Sequence, residues 1–278
     1  MRKRFVAPLL VTALLQSVGA QDLRPSVAEQ IKIGQDAAKQ IRKEEKVLPD
    51  SDPRVKYIRE MGPKLVALIP EAERKKRPFQ YSFDVIDSKE INAFALPGGP
   101  IFFYTGLINL MSTSDQFVGV LGHEITHVRN QHWASAYADN MKRRLGLAVL
   151  LTIINANGSI TNAADIIDQG LFLLPYSRKH ESESDKFGYD LVMKLGMNPQ
   201  GMADVFRKLA AGKGKDGFGD VLSTHPDPLK RAEAIEKRLK AEKTAPPAQK
   251  PLPFQTDAMK PKPVSSLTFL EILALRDY

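Results

Sequence analysis

Residues 120–127 read Val-Leu-Gly-His-Glu-Ile-Thr-His, and this octapeptide constrains the fold more than any other stretch of the chain. Histidines four apart share one face of an α-helix, so both imidazoles can reach a single ion only if the segment is helical. Apolar residues precede His123, Gly122 is small, and no helix breaker falls inside the motif. The pattern predicts a helix over 114–133. Zinc accepts neutral imidazole nitrogen at about 2.0–2.1 Å, which this spacing suits. Glu124 lies about 100° further round the helix, where it can approach a zinc-bound water as a base without being a ligand.

A catalytic zinc takes a third protein ligand and leaves one position open. One common continuation of the motif would place glycine at 130 and histidine at 133, but Asn130 and Trp133 stand there. The alternative is a glutamate from a later helix, and Ser177-Arg178-Lys179-His180-Glu181-Ser182-Glu183-Ser184-Asp185 supplies one. Glu181 and Asp185 share a helical face, giving one carboxylate for the metal and one to hydrogen-bond a ligating histidine. Glu183 points elsewhere and is expected to face solvent. Of the five histidines, His132 is expected to cap the end of the motif helix, where a cation is favourable. His180 is the fallback third ligand. His225, in Ser223-Thr224-His225-Pro226, reads either as a loop histidine satisfied by backbone or as an active-site group that stabilises an oxyanion or ligates zinc at rest.

The absence of cysteine excludes disulfides, thiolate zinc sites, a lipid-modified N-terminal cysteine and a cysteine nucleophile. Apolar content of 43% and charged content of 26% suit a folded globular protein. The formal net charge is +8, but basic and acidic residues alternate, and no basic stripe with interleaved aromatics signals nucleic acid. The short run Arg74-Lys75-Lys76-Arg77 is read as loop. Arg2-Lys3-Arg4, the apolar stretch Phe5 to Leu15 and the small residues Val18-Gly19-Ala20 read as a signal peptide over 1–20, so the expectation is a periplasmic or secreted protein.

Ser26-Val27-Ala28-Glu29 has capping-box spacing and opens a predicted helix to about Lys46. Asp52-Pro53 opens another, to about Ile69. Strands are expected over 79–86, 91–96 and 101–105, the last two joined by the turn Pro97-Gly98-Gly99-Pro100. Further helices are expected over 177–195, 199–211 and 227–243, the last opened by Asp227-Pro228. The apolar run 145–154 is too short to span a bilayer, so membrane contact is at most peripheral. Prolines 246, 247, 251, 253, 261 and 263 mark 244–278 as an extended linker ending in a short amphipathic tail, which leaves 21–243 as one domain.

Taken together, the motif at 123–127, the stretches Asn92-Ala93-Phe94-Ala95-Leu96-Pro97-Gly98-Gly99 and Thr105-Gly106-Leu107, the acidic helix at 177–185 and the loop 223–226 resemble zinc peptidase family forty-eight. That family includes CAAX prenyl proteases, HtpX-like membrane proteases and BepA-like envelope proteases. The resemblance covers about 26–243; Ser184 stands where the family usually has alanine. It implies an α+β, mainly helical zincin-type (gluzincin) fold with a small β-sheet beside the motif helix, and one Zn2+ per chain held by His123, His127 and Glu181. It further implies that an edge strand carries the substrate in extended form, with Ile101, Phe102 and Phe103 as the candidate strand and Asn92 positioning substrate. The expected activity is a metalloendopeptidase acting on extended or misfolded envelope polypeptides. Glu124 would serve as base and His225 would stabilise the oxyanion, with envelope assembly machinery as a further partner. A chaperone or assembly factor with a largely closed zinc site is the competing expectation, and a binding module working through the tail is another.

Overall fold

The computed structural model describes residues 23–152, 174–242 and 245–254. The expected signal segment and the tail beyond 254 lie outside them. Helix α1 (Val27–Glu44) begins with the expected capping box: the Ser26 hydroxyl accepts from the Glu29 N–H, and the Glu29 carboxylate accepts from the Ser26 N–H. Asp52 caps α2 (Pro53–Ala67), with proline in its first turn. Asp84 is buried between the Arg42 guanidinium of α1 and the Arg59 guanidinium of α2, both at 2.6 Å, and so ties these helices to the first strand. The basic run at 74–77 is not loop. It closes a short helix, α3 (Glu71–Lys76), because Arg74, Lys75 and Lys76 occupy its last turn, where cations complement the free carbonyls.

Strands β1 (Ser82–Ile86), β2 (Ala93–Ala95) and β3 (Pro100–Tyr104) form one mixed sheet in the order β1-β3-β2, with β3 parallel to β1 and antiparallel to β2. This corrects the expected substrate strand. Ile101, Phe102 and Phe103 lie in the central strand, paired on both sides and fully buried, so no added chain can reach their backbone. The turn between β2 and β3 needs glycine: Gly98 and Gly99 have φ of 78° and 137°, and a Cβ on Gly98 would lie 2.4 Å from the Ile31 backbone of α1.

After the short α4 (Thr105–Leu110) comes α5 (Ser114–Arg129), which carries the motif. Every residue of α5 from Ser114 to Val128 is buried. A helix enclosed on all sides is the middle of the molecule rather than a surface stripe. It packs on α7 (Arg178–Lys194), α8 (Gln200–Ala211), α2 and β2. Its most extensive packing is with α7, where a Cβ on Gly188 would sit 3.1 Å from the His123 nitrogen. Gly188 lies seven residues, two helical turns, after Glu181, so the glycine that lets the helices approach shares a face with the carboxylate they bring together. Helices α9 (Gly219–Thr224) and α10 (Pro228–Ala241) close the site from the other side.

Two further expectations change. The predicted helix over 114–133 breaks at Gln131, whose φ of 57° no helix continues, and α6 (His132–Thr152) starts afresh. The Gln131 amide oxygen accepts from the Gln30 side chain at 2.9 Å, which pins the break against α1. The run 145–154 continues α6 as far as Thr152 and then leaves the described residues; among those, no helix is long and apolar enough to cross a membrane. The expected linker, finally, begins as packed structure. The Lys250 carbonyl accepts from the Ser114 N–H, the Lys250 N–H donates to the buried Asp115 carboxylate at 2.7 Å, and Leu252 and Phe254 enter the core beside Tyr57 and Phe117. Proline in this strap limits its conformational freedom without preventing it from docking.

Candidate metal centre

His123 and His127 lie one turn apart on α5 and turn their Nε2 atoms toward each other, 2.9 Å apart. Glu181, in the first turn of α7, presents one oxygen 3.4 Å from His127 Nε2 and the other 3.6 Å from His123 Nε2. His225, just past α9, brings Nδ1 to 3.4 Å from His123 Nε2 and 3.1 Å from Glu181. All four donor groups are buried and lie within 4.8 Å of one another. A tetrahedral ion with bonds near 2 Å spaces its ligands about 3.3 Å apart, so these separations match one zinc-sized ion.

The surrounding charge fits the same ion. Glu124, Glu181 and Asp185 are three buried carboxylates facing one buried guanidinium, that of Arg231, and the excess of two negative charges is what a divalent cation neutralises. Burial works to raise the Glu181 carboxyl, but the neighbouring His225, Arg231 and His123 outweigh it and hold it well below the usual carboxylate range. Burial keeps His127 well below the usual imidazole range, hence neutral and able to donate a lone pair. Glu124 is the exception among the acids: burial raises it. Its Oε2 is buried without a hydrogen-bond partner. It borders a cavity of about 20 Å³ that His123 and His225 also line, enough for one water. An orphaned carboxylate oxygen beside a one-water space, next to a complete donor set, is where a base would stand.

Each imidazole of α5 is backed from behind. Asp185 Oδ1 lies 3.0 Å from His123 Nδ1, and Arg231 grips both Asp185 oxygens at 2.7 and 2.8 Å while also contacting Glu181. His132 Nδ1 lies 3.1 Å from His127 Nδ1, and its Nε2 lies 3.1 Å from Glu183. His132 therefore does not cap α5, and Glu183 does not merely face solvent; the break at Gln131 folds His132 back beneath His127. Tyr176 stacks on His127 with ring centroids 3.9 Å apart. His180, the fallback ligand, stacks on His132 and stays outside the donor cluster. Asn92 is buried at the start of β2 with its side-chain oxygen unpartnered, and Ala93 beside it lines the Glu124 cavity. Ile101, Phe102 and Phe103 do not join the site.

Arg231 and Tyr176 were not singled out from the sequence. For Arg231 one signal existed: it shares the face of α10 that carries the buried Ile235, and an arginine on an apolar stripe needs a buried partner. Tyr176 stands in an extended stretch with no periodicity to mark it.

The sequence profile of peptidase family M48 matches residues 54–239. This chain belongs to that family. The M48 match runs from α2 to the end of α10 and takes in every residue of the cluster. Among similar proteins are the mitochondrial metalloendopeptidase OMA1 of Schizosaccharomyces pombe, 29% identical over 211 residues, and the beta-barrel assembly-enhancing protease of Escherichia coli, 28% identical over 220 residues. These alignments cover 75% and 74% of this chain but 60% and 43% of the relatives. The metalloprotease LoiP of Escherichia coli is 31% identical over 58% of this chain and 64% of its own length. The M48 domain here thus spans less than two thirds of each of these relatives.

Proposed function

We propose that this M48 protein is a zinc-dependent endopeptidase that cleaves extended or misfolded polypeptides, with His123, His127 and Glu181 as metal ligands. The observation that carries it is Glu124, with its unpartnered buried oxygen, beside a one-water cavity and a complete donor set. Zinc, when bound, polarises the scissile carbonyl and acidifies a water. Glu124 takes the proton from that water and delivers it to the leaving amine. Asp185 and Arg231 hold His123 and Glu181 in place meanwhile. The substrate strand moves from β3 to β2. On β2, Asn92 and Leu96 bond inward to β3, and by alternation Ala93 and Ala95 turn their backbone groups to the outer edge. Among the described residues no backbone hydrogen bond is made on that side, which leaves donors and acceptors for a peptide that adds as a strand. Asn92 stands at the start of this edge.

A second reading has a specific observation in its favour. His225 sits within the donor set, and the cavity beyond it is small, which describes a closed site and suits a chaperone or assembly factor that rarely cleaves. In the protease reading, His225 leaves the donor set on substrate entry and faces the oxyanion. Envelope location and quality-control substrates belong to this proposal too. They are supported by the leader-like residues 1–20 and by a relative whose name ties it to β-barrel assembly.

Casein degradation by purified protein, comparing the parent with Glu124→Gln after measuring zinc in both, tests the reading. One zinc in each, with cleavage lost by about 10²–10⁴-fold in the variant, is the expected result. Zinc in both without cleavage in either moves the closed-site reading ahead, and His225→Ala is then the protein to assay. Neither binding zinc would sink the metal-centre assignment.

A further inference from the structure

The two ligating histidines of α5 need opposite things from their two ring nitrogens: a bare Nε2 toward the ion and a proton on Nδ1, held by an acceptor. For His123 that acceptor is Asp185. For His127, among the described residues, no carboxylate is in reach of Nδ1; the neighbour is the imidazole of His132, at 3.1 Å. A histidine can be donor or acceptor, so His132 serves only if something settles which of its own nitrogens carries the proton. Glu183 does. Its Oε2 lies 3.1 Å from His132 Nε2, and a carboxylate can only accept, so the proton sits on Nε2 and Nδ1 is left bare toward His127. His132 is buried and stacked face to face on His180 at 4.5 Å, which fixes the plane of its ring. The Ser184 hydroxyl lies 3.3 Å from the same Nδ1, a longer contact than that of His127, and can share its lone pair as a second donor.

We propose that His132, oriented by Glu183, is a positioning residue that sets the tautomer and ring angle of His127 for metal binding, through a relay Glu183–His132–His127 that ends at a half-exposed carboxylate. This rests on the metal-centre reading above. It extends that reading to two residues with no direct contact to the ion or the substrate. The relay also accounts for the break at Gln131: an uninterrupted helix would place His132 five residues, almost one and a half turns, beyond His127 and about 140° round from it.

The test measures zinc affinity by competition with a chromogenic chelator, and the thermal stability of the zinc-free protein, for His132→Ala, His132→Asn, Glu183→Ala and the double variant His132→Asn/Glu183→Ala. Asparagine places its Oδ1 where histidine has Nδ1, and that oxygen accepts regardless of Glu183. The expected result is a rise in the zinc dissociation constant of about 10–100-fold for His132→Ala. His132→Asn recovers most of that loss, Glu183→Ala gives a rise of its own, and that rise vanishes in the His132→Asn background. A purely structural role predicts instead that His132→Asn tracks His132→Ala and that affinity falls only in step with zinc-free stability; either outcome overturns the proposal. So does a rise below threefold in His132→Ala. Because Glu183 is partly exposed, its variant keeps the test open even if His132→Ala fails to fold: an unchanged dissociation constant in Glu183→Ala also overturns the relay. If the parent itself binds no zinc, the metal-centre reading falls, and that result differs from a parent that binds zinc beside variants that bind it equally well.

Discussion

His123 and His127 are one helical turn apart and chemically the same, yet they end in unlike surroundings. His123 lies on the inner flank of the site, where its Nδ1 meets Asp185 and Arg231, and the Arg231 guanidinium also stacks over Phe206 at 4.0 Å. All of these groups are buried, and Arg231 pairs with Asp185 as one full charge with another. His127 lies toward the end of α5, where its partners are the ring of Tyr176 and a second imidazole, and the chain of contacts runs out to Glu183; the Glu73–Arg129 pair lies at the same end of the helix. One flank is held by desolvated charge and the other by aromatic stacking and a pair of imidazoles that ends at a partly exposed carboxylate. The lesson is one of cost: a broken charge network leaves uncompensated buried charge, whereas removing the relay's partly exposed carboxylate leaves a buried but uncharged imidazole without its acceptor.

The largest effect that could break this contrast is at Arg231. Replacing it by methionine leaves Glu181 and Asp185 facing each other without their cation, and the zinc-free protein should lose about 3–5 kcal/mol in urea denaturation. A loss as small as that expected on the outer flank would mean the inner network is not holding charge. Next comes the buried start of α5, held by the strap. Phe254→Ala should cost about 3 kcal/mol by the same measurement, with zinc content unchanged, since Phe254 packs on Tyr57 and Phe117 and touches no donor. Asp185→Asn should weaken zinc binding by about 10–100-fold in chelator competition, and comparing that loss with the His132 variants ranks the two flanks directly.

The smallest effect is at Glu73, about one third exposed and paired with Arg129 at 2.9 Å. The hydrogen bond from Arg129 lowers the Glu73 carboxyl below its ordinary 4.5. A lowered acid contributes stability above its unfolded value and loses it as pH falls through the folded one. Glu73→Gln should therefore cost less than about 1 kcal/mol at pH 7 and progressively less as pH falls below that ordinary value, measured by denaturation across the acid range. A larger cost at neutral pH would make the outer end of α5 as dependent on charge as the inner one.

How much of this was legible beforehand varies residue by residue. The capping box at Ser26, the proline-led start of α2 and the His-Glu-x-x-His helix are local patterns, and each appears where the sequence placed it. The helix carrying Glu181 and Asp185 was legible from i, i+4 spacing. Strand positions were legible; strand order was not, because pairing depends on contacts between residues far apart in the chain, and β3 went to the centre instead of the edge. Proline content suggested a linker where Leu252 and Phe254 are anchored in the core. His132 was misassigned because a single residue, Gln131, takes a left-handed conformation that helix periodicity does not register.

By itself the sequence determined which residues could hold a metal, which helix presents them, and that Glu124 stands beside them. These depend on spacing along one helix, and helical geometry is local. Only the tertiary structure decided what backs each histidine, Arg231 from α10, His132 from beyond a break and Tyr176 from an extended stretch, and that β2 lies at the edge of the sheet. Those groups meet because distant segments pack around one buried helix, and nothing in local spacing records which side chains will share a desolvated space.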